Sequence, residues 1–108
     1  MTEPAARPRP PRVVTDEEKH RIEQALPDEA PAQPAKARKL LIFDRTVGGG
    51  GHPSIPHANL AFTRMGEKTG AFEAVVEHEP EAFARGHLQQ YDAVFFNNTL
   101  GNLFEDTD

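Results

Sequence analysis

The chain has 108 residues, a formal net charge of −5, 10 Pro, 8 Gly and no Cys. That length permits one small domain at most. The acidic balance argues against nucleic acid as a partner, because binding phosphates needs a basic face. Lack of Cys excludes disulfides, Cys-ligated zinc and a thiol nucleophile within these residues.

No run of about 18 apolar residues exists, so no membrane-spanning segment is expected. The N-terminus lacks the basic-then-apolar layout of a secretory leader. A cytoplasmic location fits; a periplasmic one is the alternative if a leader precedes the assigned start.

Met1 to Arg12 carries Pro4, Pro8, Pro10, Pro11, Arg7, Arg9 and Arg12 with little apolar content. Such a segment cannot bury enough surface to offset its ordering entropy, and a disordered arm is expected. Thr15-Asp16-Glu17-Glu18 has the form of a capping box. Ile22, Ala25 and Leu26 then make a thin apolar stripe as far as Pro27. This predicts a short helix near 15–26, marginal in isolation. Pro27 to Ala37 reads as an extended Pro/Ala linker, so the arm covers 1–38.

At Lys39 the character changes. Leu40-Leu41-Ile42-Phe43 is apolar on both faces, as in a central parallel strand covered by helices on each side. A Gly-rich loop follows through Gly50 and Gly51 to His52-Pro53-Ser54-Ile55-Pro56. A helix should start at Ser54 or Ile55, with Pro56 in its first turn. Ala58, Ala61, Phe62 and Met65 share one helical face, and Gly70 marks a C-terminal cap. Phe72 to Glu77 alternates like a strand nearer an edge. Pro80 to Ala84 and Leu88 to Tyr91 suggest short helical turns. Ala93-Val94-Phe95-Phe96 is a third strand, and Phe104 to Asp108 resembles a helix start with Asp106 as its cap.

The pattern β-α-β-(short α)-β predicts an α/β fold, with right-handed crossovers giving strand order 2-1-3. This is the start of a flavodoxin-like doubly wound sheet over 39–108. Strand 3 is as apolar as strand 1 and wants a neighbour on its free side. A parallel three-stranded sheet of roughly 70 residues is also small for independent stability. The expectation is an incomplete domain, or one completed by a homo-oligomer or another sheet-completing partner.

In open α/β sheets ligands bind beyond the C-terminal strand ends, where strand order reverses. Asp44, Arg45, the Gly loop, His52 and Ser54 leave strand 1 there. Asn97, Asn98, Thr99 and Gly101 leave strand 3. The Gly run could present N–H groups to an anion, but it fits neither the dinucleotide fingerprint nor the P-loop. The other reading is a turn admitting positive φ.

His52 is either an acid–base group or a tie for the loop. Ser54 is either an N-cap or a nucleophile without a nucleophile elbow. Asp44 either faces a pocket or forms a salt bridge. Asn98 and Thr99 either meet a polar ligand or satisfy backbone at the strand exit. Asn97-Asn98-Thr99 is also a glycosylation sequon, discounted because it abuts a buried strand. His57 falls in the first helical turn, facing solvent or a pocket rim. His52 and His57 are five apart, which is wrong for two metal ligands on a helix, and His20, His78 and His87 have no partner spacing. No metal or other cofactor is called for.

From Lys39 onward the chain resembles the trehalose-utilisation (ThuA-like) family. The resemblance rests on Lys39-Leu40-Leu41-Ile42-Phe43, Gly50-Gly51-His52-Pro53-Ser54-Ile55-Pro56, Met65-Gly66-Glu67-Lys68-Thr69-Gly70-Ala71-Phe72-Glu73 and Tyr91-Asp92-Ala93-Val94-Phe95-Phe96-Asn97-Asn98-Thr99. The segment from Val14 to Glu18 and the Pro/Ala linker look like the lead-in of longer bacterial members. The resemblance implies a fold similar to class I glutamine amidotransferases and a role in sugar or disaccharide utilisation, with a small sugar or sugar derivative as ligand. It places His52 and Ser54 in the family's His-x-Ser loop, and Asn98 and Thr99 at its polar strand exit. Amidotransferase relatives use a Cys on a later elbow, so that activity is not expected here. A carbohydrate-active enzyme, a non-catalytic sugar-binding module and a protein-interaction module remain as alternatives. On the first, His52 is the candidate catalytic group, with Asp44, Gly50, Gly51, Ser54, Asn98 and Thr99 contacting substrate.

Overall fold

A computed structural model of the chain describes residues 13–48 and 51–104. The expected disordered arm at Met1 to Arg12, Gly50 and the helix start capped by Asp106 lie outside the described residues.

Helix α1 spans Asp16–Ala25 and is set by its local sequence. Thr15 Oγ1 accepts from the Glu18 N–H at 3.1 Å, and Glu18 Oε1 accepts from the Thr15 N–H at 3.0 Å. Both halves of the capping box are therefore formed.

Strand β1 spans Lys39–Phe43, helix α2 Ile55–Thr69, strand β2 Glu73–Glu77 and strand β3 Ala93–Phe96. Short 3₁₀ turns at Pro80–Phe83 and Leu88–Gln90 join β2 to β3. The sheet is parallel throughout, in the order β2-β1-β3. This is the α/β arrangement expected from the strand and helix pattern, part of a flavodoxin-like fold.

Strand β1 is central because it is apolar on both faces. Leu41, Ile42 and Phe43 are fully buried. Leu41 and Phe43 pack with Ala82, Phe83, Leu88, Tyr91 and Val94 on the side of the 3₁₀ turns. On the α2 side, Phe62 meets Phe95 with ring centroids 4.7 Å apart. Strand β3 pairs with β1 alone among the described residues, and Phe96, Leu100 and Phe104 remain 45%, 59% and 53% exposed beside it. No helix among the described residues is long and apolar enough to cross a membrane.

The stripe read along α2 is shared between two neighbours. Ala58, Ala61 and Phe62 line a hollow of about 480 Å³ against Glu18, Arg21 and Ile22 of α1. Asn59, Phe62 and Gly66 reach the sheet side. A Cβ on Gly66 would lie 2.5 Å from the Phe72 carbonyl oxygen, so glycine lets the start of β2 pass directly against the helix. Gly70 ends α2 at φ 68°, its N–H donating to the Gly66 carbonyl.

Helix α1 is thus docked rather than free. Arg64 donates to Glu23 Oε1 from Nε at 2.9 Å and from Nη2 at 2.7 Å. Lys68 Nζ donates to the Glu23 carbonyl at 3.0 Å. Helix α1 has no basic residue in its own last turn. Lys68 therefore supplies from α2 the positive charge that suits a helix C-terminus.

Glu18 joins the same interface, with Oε2 3.1 Å from His57 Nε2. The Thr15 backbone N–H, followed by the His57 contact, holds the Glu18 carboxyl down to about 2 from its ordinary 4.5. A depressed folded-state value means the contribution is complete above pH 4.5 and is lost as pH falls toward 2. The Thr15 and Glu18 amide resonances are therefore expected to move near pH 2, and Glu18→Gln is expected to abolish that step. A midpoint near 4.5 in the wild-type chain would refute the assignment.

Candidate functional site

The register carries the sheet one residue past its last pairs. Phe43 stands opposite Glu77 on one side and Phe96 on the other. The next residues on the three strands are His78, Asp44 and Asn97. Side chains alternate along a strand, so these three leave the face used by Phe43 and turn toward α2. There they meet Asn59, one turn into the helix.

The result is a continuous row of hydrogen bonds along the C-terminal edge of the sheet. Asn98 Nδ2 donates to Asn97 Oδ1 at 2.9 Å. Asn97 Nδ2 donates to Asn59 Oδ1 at 2.9 Å and to the Ile55 carbonyl at 3.0 Å. Asn59 Nδ2 donates to Asp44 Oδ2 at 2.8 Å. The other Asp44 oxygen, Oδ1, is bonded by His78 Nδ1. Each amide donates toward the carboxylate, so Asp44 is the common acceptor of the row. Its side chain is 8% exposed, and Asn97 is fully buried. The two ends are open: His78 is 66% exposed, and Asn98 is exposed at the other end.

Asn98 has φ 52°, the one positive value at a non-glycine among the described residues. Asn tolerates this conformation better than most residues. Beyond the row, the exits of β1 and β3 run side by side. Thr46 bridges Leu100, and the Val47 N–H donates to the Leu100 carbonyl at 2.8 Å. Gly101 permits this approach, since a Cβ there would lie 2.7 Å from the Val47 carbonyl oxygen. The expected convergence of the two strand exits is therefore formed.

The site residues expected from sequence divide into two groups. Asp44 and Asn98 belong to one hydrogen-bonded row, and Thr99 is half-buried in the exit loop. His52 and Ser54 form a local pair. Ser54 Oγ lies 2.7 Å from His52 Nδ1, and the Ser54 N–H donates to the same nitrogen at 3.2 Å. An N–H donor requires a lone pair on Nδ1, so His52 is held as a loop tie through that atom. Ser54 stands at the cap position of α2 but makes no side-chain capping bond. Among the described residues, no hydrogen bond joins this pair to the row. Gly51 brings the loop close to β1, with a Cβ position 2.9 Å from Thr46 Oγ1. His57 lies part-buried between α1 and α2 and lines the hollow there, so of the two expected placements the pocket rim holds.

The ion pair considered for Asp44 is made with His78, while the adjacent Arg45 turns away, its Nη1 bonding Glu79 Oε2 at 2.9 Å. The sequon asparagine, Asn97, is fully buried and committed to the row. Asn59 and His78 were not among the expected site residues.

A second polar cluster lies on the opposite face of the sheet. Glu77 Oε2 accepts from Tyr91 Oη at 2.7 Å and pairs with His87 Nε2 at 2.8 Å. Burial, followed by the Glu77 hydrogen bond, pushes the Tyr91 phenol up to about 12. The Tyr91 hydroxyl, then His87, holds the Glu77 carboxyl below its usual range. This cluster anchors the segment between β2 and β3. No group of three or more His, Cys, Asp or Glu able to hold a metal ion occurs among the described residues.

No protein-family model, no curated protein and no solved structure matches the chain.

Proposed function

We propose that this chain contributes the ligand-binding edge of an α/β domain that takes a small sugar or sugar derivative. One observation carries the reading: the row His78–Asp44–Asn59–Asn97–Asn98 at the C-terminal ends of three parallel strands. That edge is where open α/β sheets bind ligands. A sugar hydroxyl donates one hydrogen bond and accepts others, and carboxylate, amide and imidazole groups in a line match that demand. The buried middle of the row holds its exposed ends in place, which lowers the ordering cost of binding. The resemblance to the trehalose-utilisation family points to the same class of ligand.

Titrating the isotope-labelled chain with trehalose tests this by amide NMR. Saturable shifts are expected at Asn98 and in the Thr46 to Val47 and Leu100 to Gly101 exits. Asn98→Gly is expected to remove them without unfolding the chain, because Asn98 is exposed and glycine adopts its φ of 52° without strain. Unchanged spectra at millimolar trehalose, maltose and glucose would defeat the reading.

A further inference from the structure

The geometry points to an acid–base dyad in which His78 Nε2 exchanges a proton with a hydroxyl of the bound ligand and Asp44 positions the imidazole. The inference rests on the ligand reading above but assigns chemistry to residues that no sequence motif marks.

The Asp44 carboxylate is nearly buried, and both of its oxygens are engaged. Its Oδ2 is taken by the Asn59 amide, which is itself locked by Asn97. Arg45, the adjacent cation, is drawn away to Glu79. The ion-pairing partner of Asp44 among the described residues is therefore His78. A carboxylate can only accept, so the shared proton sits on His78 Nδ1. In the neutral imidazole this leaves the lone pair on Nε2.

The position of that lone pair is what makes the dyad useful. His78 is 66% exposed while its anchor is 8% exposed. No hydrogen bond to Nε2 occurs among the described residues. An unbonded ring nitrogen thus sits on an exposed side chain at the C-terminal edge of the sheet, with a nearly buried carboxylate behind it.

The proton transfer is balanced within the pair and the ligand. Nε2 accepts a proton as the ligand O–H bond breaks, leaving an alkoxide-like oxygen and an imidazolium. The positive charge formed lies against Asp44, which stabilises it. The same proton then returns to that oxygen or to a leaving group. No oxidant, reductant or metal is required.

The test uses the whole chain and does not require sugar. Long-range proton–nitrogen NMR at mildly alkaline pH reads the tautomer of each of the five histidines. His78 is expected in the Nδ1–H form, and Asp44→Asn is expected to shift it toward the Nε2–H form. Hydrolysis of p-nitrophenyl acetate reads the reactivity of Nε2. His78→Gln is expected to slow the chain's catalysed rate roughly tenfold, below what such a group contributes to its own substrate. Asp44→Asn should slow it in the same direction, while His20→Gln should leave it unchanged. An Nε2–H tautomer in the wild-type chain, or equal ester rates for wild type and His78→Gln, overturns the dyad. The wild-type tautomer decides even if Asp44→Asn fails to fold. Failure of trehalose binding alone would remove the sugar reading and leave these results standing.

Discussion

Replacing Phe43 with Ala is expected to destabilise the chain by about 4 kcal/mol, the usual cost of deleting a fully buried aromatic side chain. Phe43 is fully buried on the central strand. Its ring meets Phe83 edge-on at 4.7 Å, Phe96 edge-on at 6.0 Å and Phe104 face-on at 5.8 Å. Each such pair adds roughly 0.5–1.5 kcal/mol beyond area burial. Phe96 and Phe104, already about half exposed, also lose their ring contacts when this side chain is removed. A domain this small has only about 5–10 kcal/mol to lose. The variant should therefore melt on the order of 20 °C lower, or not fold at all. Phe43→Leu, which keeps much of the volume, is expected to cost about 1.5 kcal/mol. Urea denaturation of the two variants measures the difference. A loss below about 1 kcal/mol for Phe43→Ala would mean that the 3₁₀ turns do not close this face.

Much of the architecture was legible in the chain because it is encoded locally. Leu40 to Phe43 is apolar at every position, and so short a run between a Pro/Ala linker and a Gly-rich loop suits a strand covered on both faces. Thr15 and Glu18 have the spacing and chemistry of a capping box, which requires no distant partner. Gly70 follows an amphipathic stretch and ends it. The candidate site was legible only in part, because its geometry depends on non-local pairing. Asp44, His78 and Asn97 each follow a strand directly, but only the β2-β1-β3 register lines them up.

His78 carries no local signal, because its partner Asp44 lies 34 residues away in the chain. Asn59 was hidden by the apolar stripe on either side of it. Docking of α1 on Ala58 and Ala61 leaves Asn59 for the sheet edge. One signal could have found the row: in this parallel sheet, the first polar residue after each strand lies at a common level. Applied to Phe43-Asp44, Glu77-His78 and Phe96-Asn97, that rule selects the three residues that meet.

Asn97→Leu is expected to destabilise the chain by about 3 kcal/mol while keeping nearly the same side-chain volume. Shape is preserved and polarity is not, so the loss measures the hydrogen bonds. The Asn97 amide donates to Asn59 Oδ1 and to the Ile55 carbonyl, and its oxygen accepts from Asn98. Asn98 is exposed and can turn to water. Asn59 Oδ1 and the Ile55 carbonyl, both in part-buried contacts, each lose a donor, and a buried acceptor left alone costs about 1–3 kcal/mol.

The effect should also travel along the row. Without Asn97 the Asn59 amide can rotate, and Asp44 loses its fixed donor. The His78 tautomer should then become mixed although residue 97 does not touch His78.

Asn97→Asp supplies the sign. It replaces a donor with a second carboxylate near Asp44, and burial raises the pKa of that new group. A folded-state value above the unfolded one favours the protonated form, so this variant should gain stability as pH falls toward 4 and lose it as pH rises. Asn97→Leu should show no such slope relative to wild type. If both variants unfold at the wild-type urea midpoint, the row is not a connected network, and Asp44 holds His78 without help from strand β3.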